Sequence, residues 1–296
     1  MTEKGPQATA RHRGAPGLWG DALRRLARNR GAVAGGAVFA LFLLMALAAP
    51  LLSPHDLIRL NVAESLEPPS LRHWLGTDQF GRDVLARIIH GARVSMAMGV
   101  AAVTISVVLG SALGLLSGYY RGPVDLLVMR VVDGMLAFPY IVVAVFLAAF
   151  LGPGLPVAVI AIGIASAPGY IRLVRGIVLT VRGQEYIGAA VASGATRLRV
   201  ALHHILPNSI SPVIVFASLD AASALIRLSS LSFIGMGAQP PMPEWGTMLN
   251  AAQEWLSVSP HISMAPGLAI VLAAVALNLV GEAFRDALDP RLMRLN

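Results

Sequence analysis

The sequence has no cysteine, which removes disulfides, thiolate metal sites and cysteine nucleophiles at once. It has a single lysine, Lys4, against 22 arginines. A P-loop needs a lysine behind its glycines to reach nucleotide phosphates. Lys4 stands outside any such motif, so the chain carries no Walker-type ATPase site. Charge is scarce altogether: 13% of residues are charged and 56% hydrophobic, with a mean hydropathy of +0.69. A soluble domain has about 25% charged residues, so too little polar surface remains to coat a soluble globule of 296 residues. Aromatic residues are few and are not interleaved with basic ones. The net charge of +7 therefore implies no nucleic-acid partner and reads as arginine held on one side of a membrane.

What is present is a series of long apolar runs, uncharged in all but the fifth. A helix rises about 1.5 Å per residue, so roughly 20 apolar residues cross the hydrocarbon core. Residues 31–53 and 94–120 supply two spans. The uncharged run 134–171 is too long for one crossing, and Gly152-Pro153-Gly154 with Pro156 divides it into a third and a fourth. Residues 209–231 and 262–281 complete six, which predicts an all-α membrane protein lying in membrane lipid. The expected organisation is a leader over 1–30, a six-span domain over 31–284 containing a loop at 174–207, and a tail over 285–296.

Arginine placement predicts the orientation. The leader carries six arginines and Lys4 against Glu3 and Asp21, and the segment between spans four and five adds five arginines against Glu185. The stretch 232–261 has neither lysine nor arginine. By the positive-inside rule, both termini and the 174–207 loop are cytoplasmic. Segment 54–93 is the exception, with five arginines balanced by five acids, and its mixed charge predicts a folded surface element.

Within the second span Gly110, Gly114 and Gly118 recur every four residues, which puts small residues on one face for close helix approach. Ionisable residues inside spans are costly and are candidates for function. Asp133 lies near the start of span three, three residues after Arg130, while Asp220 and Arg227 sit two turns apart on one face of span five. Each reads either as polar lining of a pathway or as a structural pair. No H-E-x-x-H or G-x-S-x-G occurs, and the adjacent His203 and His204 point to different helix faces, so no metal site is expected.

The informative segment lies in the 174–207 loop. Glu185-Tyr186-Ile187-Gly188-Ala189-Ala190 is followed by Gly194 and then by His203-His204-Ile205-Leu206-Pro207-Asn208. Alanines 189, 190 and 192 favour a short helix that Gly194 would end. A small-residue helix held between two spans suits docking into another protein. An amphipathic helix lying on the membrane suits the same pattern.

This segment resembles the EAA loop of ABC importer permeases: Glu-Ala-Ala, three residues, Gly, nine residues, Ile-x-Leu-Pro. Ala189, Ala190, Gly194, Leu206 and Pro207 match in register, while Gly188 replaces the usual Glu and His204 the usual Ile. Further blocks resemble the second permease of dipeptide, oligopeptide and nickel importers. They are Leu75-Gly76-Thr77-Asp78 through Gly81-Arg82-Asp83-Val84, Gly91-Ala92-Arg93-Val94-Ser95, Ala137-Phe138-Pro139, Leu231-Ser232-Phe233-Ile234-Gly235 and Trp245-Gly246. Leu228 stands where that branch often has Glu.

The resemblance implies the type I importer permease (MetI-like) fold and a non-enzymatic subunit in the prokaryotic plasma membrane. It implies half of a translocation pathway for peptides, with nickel or another chelate as the alternative cargo. Its expected partners are a second homologous permease, two ATPase subunits or domains that hold ATP and Mg²⁺, and an extracytoplasmic substrate-binding protein. Glu185, Gly188, Ala189, Ala190, Gly194, His204, Leu206 and Pro207 become the expected ATPase-coupling residues. A proton-coupled secondary carrier and a membrane-embedded enzyme are the competing classes. The first lacks a repeat between the two halves, and the second lacks a nucleophile, base or metal set.

Overall fold

The computed structural model describes residues 29–52 and 60–288. Expectations placed on the leader before residue 29 and on the tail from residue 289 lie outside the described residues. Nine helices are named here: α1 (Arg30–Leu52), α2 (Val84–Tyr120), α3 (Gly122–Leu136), α4 (Tyr140–Leu151), α5 (Leu155–Arg182), α6 (Glu185–Ala192), α7 (Arg197–Phe233), α8 (Trp245–Ala252) and α9 (His261–Leu288). The described residues contain no strand, only an isolated bridge between Thr77 and Asp83. Helices α1, α2, α5, α7 and α9 are each long and apolar enough to cross a membrane.

The third crossing differs from the expected straight span over 134–151. Helices α3 and α4 meet at 99°, with Pro139 at the head of α4. Proline lacks an N–H and drives the residue before it out of the helical region, so Phe138-Pro139 breaks the rod. At 12 residues, α4 spans about 18 Å and needs α3 to complete a sixth crossing.

Helix α2 is longer than the span expected from 94. It starts at Val84, and its 37 residues extend for about 55 Å. Arginines 87 and 93 hide the first ten residues from a hydropathy reading. Asp83 caps the helix by accepting from the Ala86 N–H at 2.7 Å, and Arg87 is drawn to Asp78 at 3.6 Å. Beyond the hydrocarbon, residues 60–83 form the folded element expected from their mixed charge. Asp78 accepts from the Phe80 and Arg82 backbone N–H groups and from Arg82 Nε at 2.7 Å, while His73 Nδ1 meets Asp83 at 2.7 Å.

The scattered sequence blocks converge at this end. Trp245 is fully buried against Gly91 and donates from its ring nitrogen to the Ile88 carbonyl at 3.1 Å. Glu244, equally buried, caps α8 through the Gly246 and Thr247 N–H groups and also accepts from Ser95 Oγ. One knot thus holds the head of α2 to α8.

Helix α5 is the innermost span, and α2 lies against it along the glycine face. A Cβ on Gly114 would come within 2.8 Å of the Ile171 carbonyl and 2.9 Å of Val174 Cβ, and one on Gly118 within 2.8 Å of Val178 Cβ. Gly110 faces Tyr170 in the same way. Gly114→Leu should therefore force the helices apart, and overpacking of this kind costs about 1–3 kcal/mol. We expect a lower thermal midpoint and poor yield, whereas Gly176→Leu, at an exposed site with open space around it, should change neither.

Candidate functional site

Helix α6 leaves α5 through Gly183 and Gln184 and ends in a Schellman arrangement. The Ala195 N–H donates to the Ala190 carbonyl and the Gly194 N–H to the Val191 carbonyl, both at 3.0 Å. Gly194 has φ +84°, a left-handed conformation that a Cβ disfavours. Glycine is needed here so that the chain can turn back into α7.

The inner side of α6 is pinned. Ile187 is buried in a cluster with Tyr170, Val174 and Val178 of α5 and Val200, Ile205 and Val213 of α7. Asn208 donates from Nδ2 to the Tyr186 hydroxyl at 3.4 Å and to the His204 carbonyl at 2.6 Å. The outer side is bare. Glu185, Gly188, Ala189 and Ala192, at the i, i+3, i+4, i+7 spacing of one helix face, are all exposed, and nothing lies within 4 Å of a Cβ built on Gly188. Ala190 is half-buried toward its own chain.

His204 and Leu206 are half-buried and Pro207 exposed, at the head of α7 where residues 200–205 form a π turn. Leu206 N–H reaches the Ala201 carbonyl, five residues back. Pro207 offers no N–H, and its ring would crowd the carbonyl four residues earlier, so the turn widens.

Charged ties brace the same end of the bundle. Arg175 of α5 holds Asp125 of α3 through two bonds of 2.6 and 2.7 Å, and Ser117 of α2 also donates to Asp125. Asp133 pairs with Arg172 at 2.7 Å rather than with Arg130, and both partners are exposed. The two-turn spacing within one helix does hold for Asp220 and Arg227, which meet at 2.8 Å. Tyr170 Oη donates to Asp220 at 3.0 Å, Arg227 donates to Ser166 at 3.0 Å, and the guanidinium lies 4.9 Å from the Tyr140 ring centre. The cluster thus joins α4, α5 and α7 inside the spans. Asp125 and Glu244 carry no motif, while Tyr186 and Asn208 stand in the loop segment without a role that its pattern announces.

Residues 110–294 match the family model described as the binding-protein-dependent transport system inner membrane component. The chain belongs to this family of ABC importer permeases. A second match, over residues 17–69, is to the N-terminal TM domain of oligopeptide transport permease C. It is 43% identical over 274 residues to the dipeptide transport system permease protein DppC of Alkalihalophilus pseudofirmus, covering 93% of this chain and 90% of that protein. It is 43% identical to the glutathione transport system permease protein GsiD of Pectobacterium atrosepticum, with 93% and 91% covered. The di/tripeptide transport system permease protein DppC of Pseudomonas aeruginosa is likewise 43% identical, with 90% of each chain covered.

Among solved structures, an amino acid ABC transporter with histidines superposes with a TM-score of 0.53 at 15% identity, over 68% of this chain and 94% of that one. That likeness concerns the fold. The permease is a multi-pass membrane protein, and an ABC importer works with ATPase and substrate-binding partners.

Proposed function

We propose that this permease forms half of the membrane pathway of a short-peptide importer and couples it to ATPase subunits through α6. What carries the cargo assignment is the breadth of the match: relatives named for dipeptide, di/tripeptide and glutathione transport align over nine-tenths of the chain. A second, homologous permease supplies the other half of the pathway. The chain itself performs no catalysis and binds no cofactor, and ATP and Mg²⁺ belong to the ATPase partners.

The coupling reading is supported by the contrast between the two sides of α6. Its inner side is locked to α5 and α7 through Ile187 and Tyr186, while Glu185, Gly188 and Ala189 face outward with no large side chain between them and a partner. A groove that closes on α6 would move the head of α7 with it. Gly188 in place of the usual Glu removes one polar contact, and Glu185, one turn earlier on the same face, is placed to supply a carboxylate instead.

The test is reconstitution in liposomes of this chain with its partner permease, ATPases and binding protein. Uptake of a labelled dipeptide should require ATP and every subunit. Uptake driven by a proton gradient through this chain alone would overturn the reading, and uptake of a nickel chelate with none of peptide would overturn the cargo.

Orientation follows from the same proposal, with both termini and α6 in the cytoplasm of a prokaryotic cell. The native chain offers no thiol, so single cysteines are clean probes. In intact cells, Gln253→Cys should react with an impermeant thiol reagent and Arg197→Cys should not. Reversed labelling would invert the topology.

A further inference from the structure

Between α1, α2, α7 and α9 lies a cleft of about 560 Å³ lined by Phe39, Leu43, Leu47, Val100, Leu225 and Leu277. Leu225 closes the floor, while Leu43, Leu47 and Val100 are exposed at the rim, so the cleft opens sideways to the bilayer. Its single charged lining residue is Arg93. Arg93 is exposed and makes no hydrogen bond or ion pair among the described residues, unlike Arg82, Arg87, Arg172, Arg175 and Arg227, each of which faces a carboxylate.

The position of Arg93 gives this meaning. It is the last charge before the uncharged residues 94–120, so its guanidinium stands at headgroup level. From Arg93 to Ala101 on α2, and from Leu47 to Phe39 on α1, the lining descends about 12 Å into the hydrocarbon. An arginine above an apolar slot matches a phospholipid end to end: guanidinium binds phosphate through paired N–H groups, and the slot takes an acyl chain.

We propose that this cleft is a binding site for one anionic phospholipid, its phosphate on Arg93 and an acyl chain between α1 and α2. The lipid would fill the gap that α1 leaves against α2 and α7. The proposal rests on the spans lying in a bilayer and is independent of the cargo.

The test uses the complete transporter in nanodiscs of phosphatidylcholine doped with phosphatidylglycerol, followed by native mass spectrometry of the lipid retained on release. The wild type should keep one phosphatidylglycerol that Arg93→Gln and Gly99→Leu both lose. Gly99 lines the cleft, and a Cβ there meets no atom of another helix within 4 Å, so the added side chain enters the cleft. Arg93→Lys should restore part of the retention, and thermal midpoints of the variants exclude loss through misfolding. Equal retention by wild type and both variants would overturn the site. So would cross-linking of Val100→Cys to the partner permease, which would make the cleft a protein interface.

Discussion

Ala189→Arg is expected to strip the ATPase subunits from the purified assembly and abolish peptide uptake, while the two permeases still insert and pair. Residue 189 is exposed on the bare face of α6, so an arginine there disturbs nothing within this chain. Leaving an uncompensated charge at a buried contact costs about 2–5 kcal/mol, and each 1.4 kcal/mol is about tenfold in affinity. ATPase binding should fall by roughly thirtyfold or more, measured by co-purification and by ATP-dependent uptake in vesicles. Ala190 is a poorer site for the test, because it is half-buried within its own chain. If α6 were a membrane-surface helix, Ala189→Arg would keep both ATPase association and transport.

The second large effect concerns Asp220. Asp220→Asn would leave the Arg227 guanidinium in the spans without a counter-charge, with only neutral groups near it: the Asn amide oxygen, Ser166 and the Tyr140 ring. Removing one member of a buried pair costs about 3–5 kcal/mol, and with side chains only 22% and 10% exposed for Arg227 and Asp220, water offers little relief. We expect a sharp drop in thermal midpoint and yield for Asp220→Asn. The double variant Asp220→Asn with Arg227→Met should recover most of it. Uptake by that double variant then separates the two roles of the pair. Full transport makes it structural, and a well-assembled but inactive permease makes it part of the pathway.

The fold was largely written in the runs of uncharged residues and their breaks. Gly152-Pro153-Gly154 marks the turn between α4 and α5, and five spans lie where hydropathy puts them. Hydropathy failed where charge is neutralised by tertiary contact, as at Arg87, and where one proline redirects an apolar run, as at Pro139. The coupling loop was legible because its constraints are local: Gly194 needs a left-handed backbone, and Pro207 a widened turn. Asp125 was not legible. Its partners, Arg175 and Ser117, come from α5 and α2, and no spacing within α3 announces them. The partner of Asp133 is equally hidden, since Arg172 is distant in sequence and near only once α3 and α5 are packed.

The bonds between α5 and α7 have a mechanical consequence. Ser166 and Tyr170 on one helix grip Arg227 and Asp220 on the other, and from about 10 Å further along α7 the two are joined again through the cluster around Ile187 of α6. Two fastenings at separate heights resist shear, since sliding one helix past the other would break both together. On the proposed coupling, a force on the outer face of α6 would be carried by α5, α6 and α7 together, leaving the bend between α3 and α4 outside that braced unit.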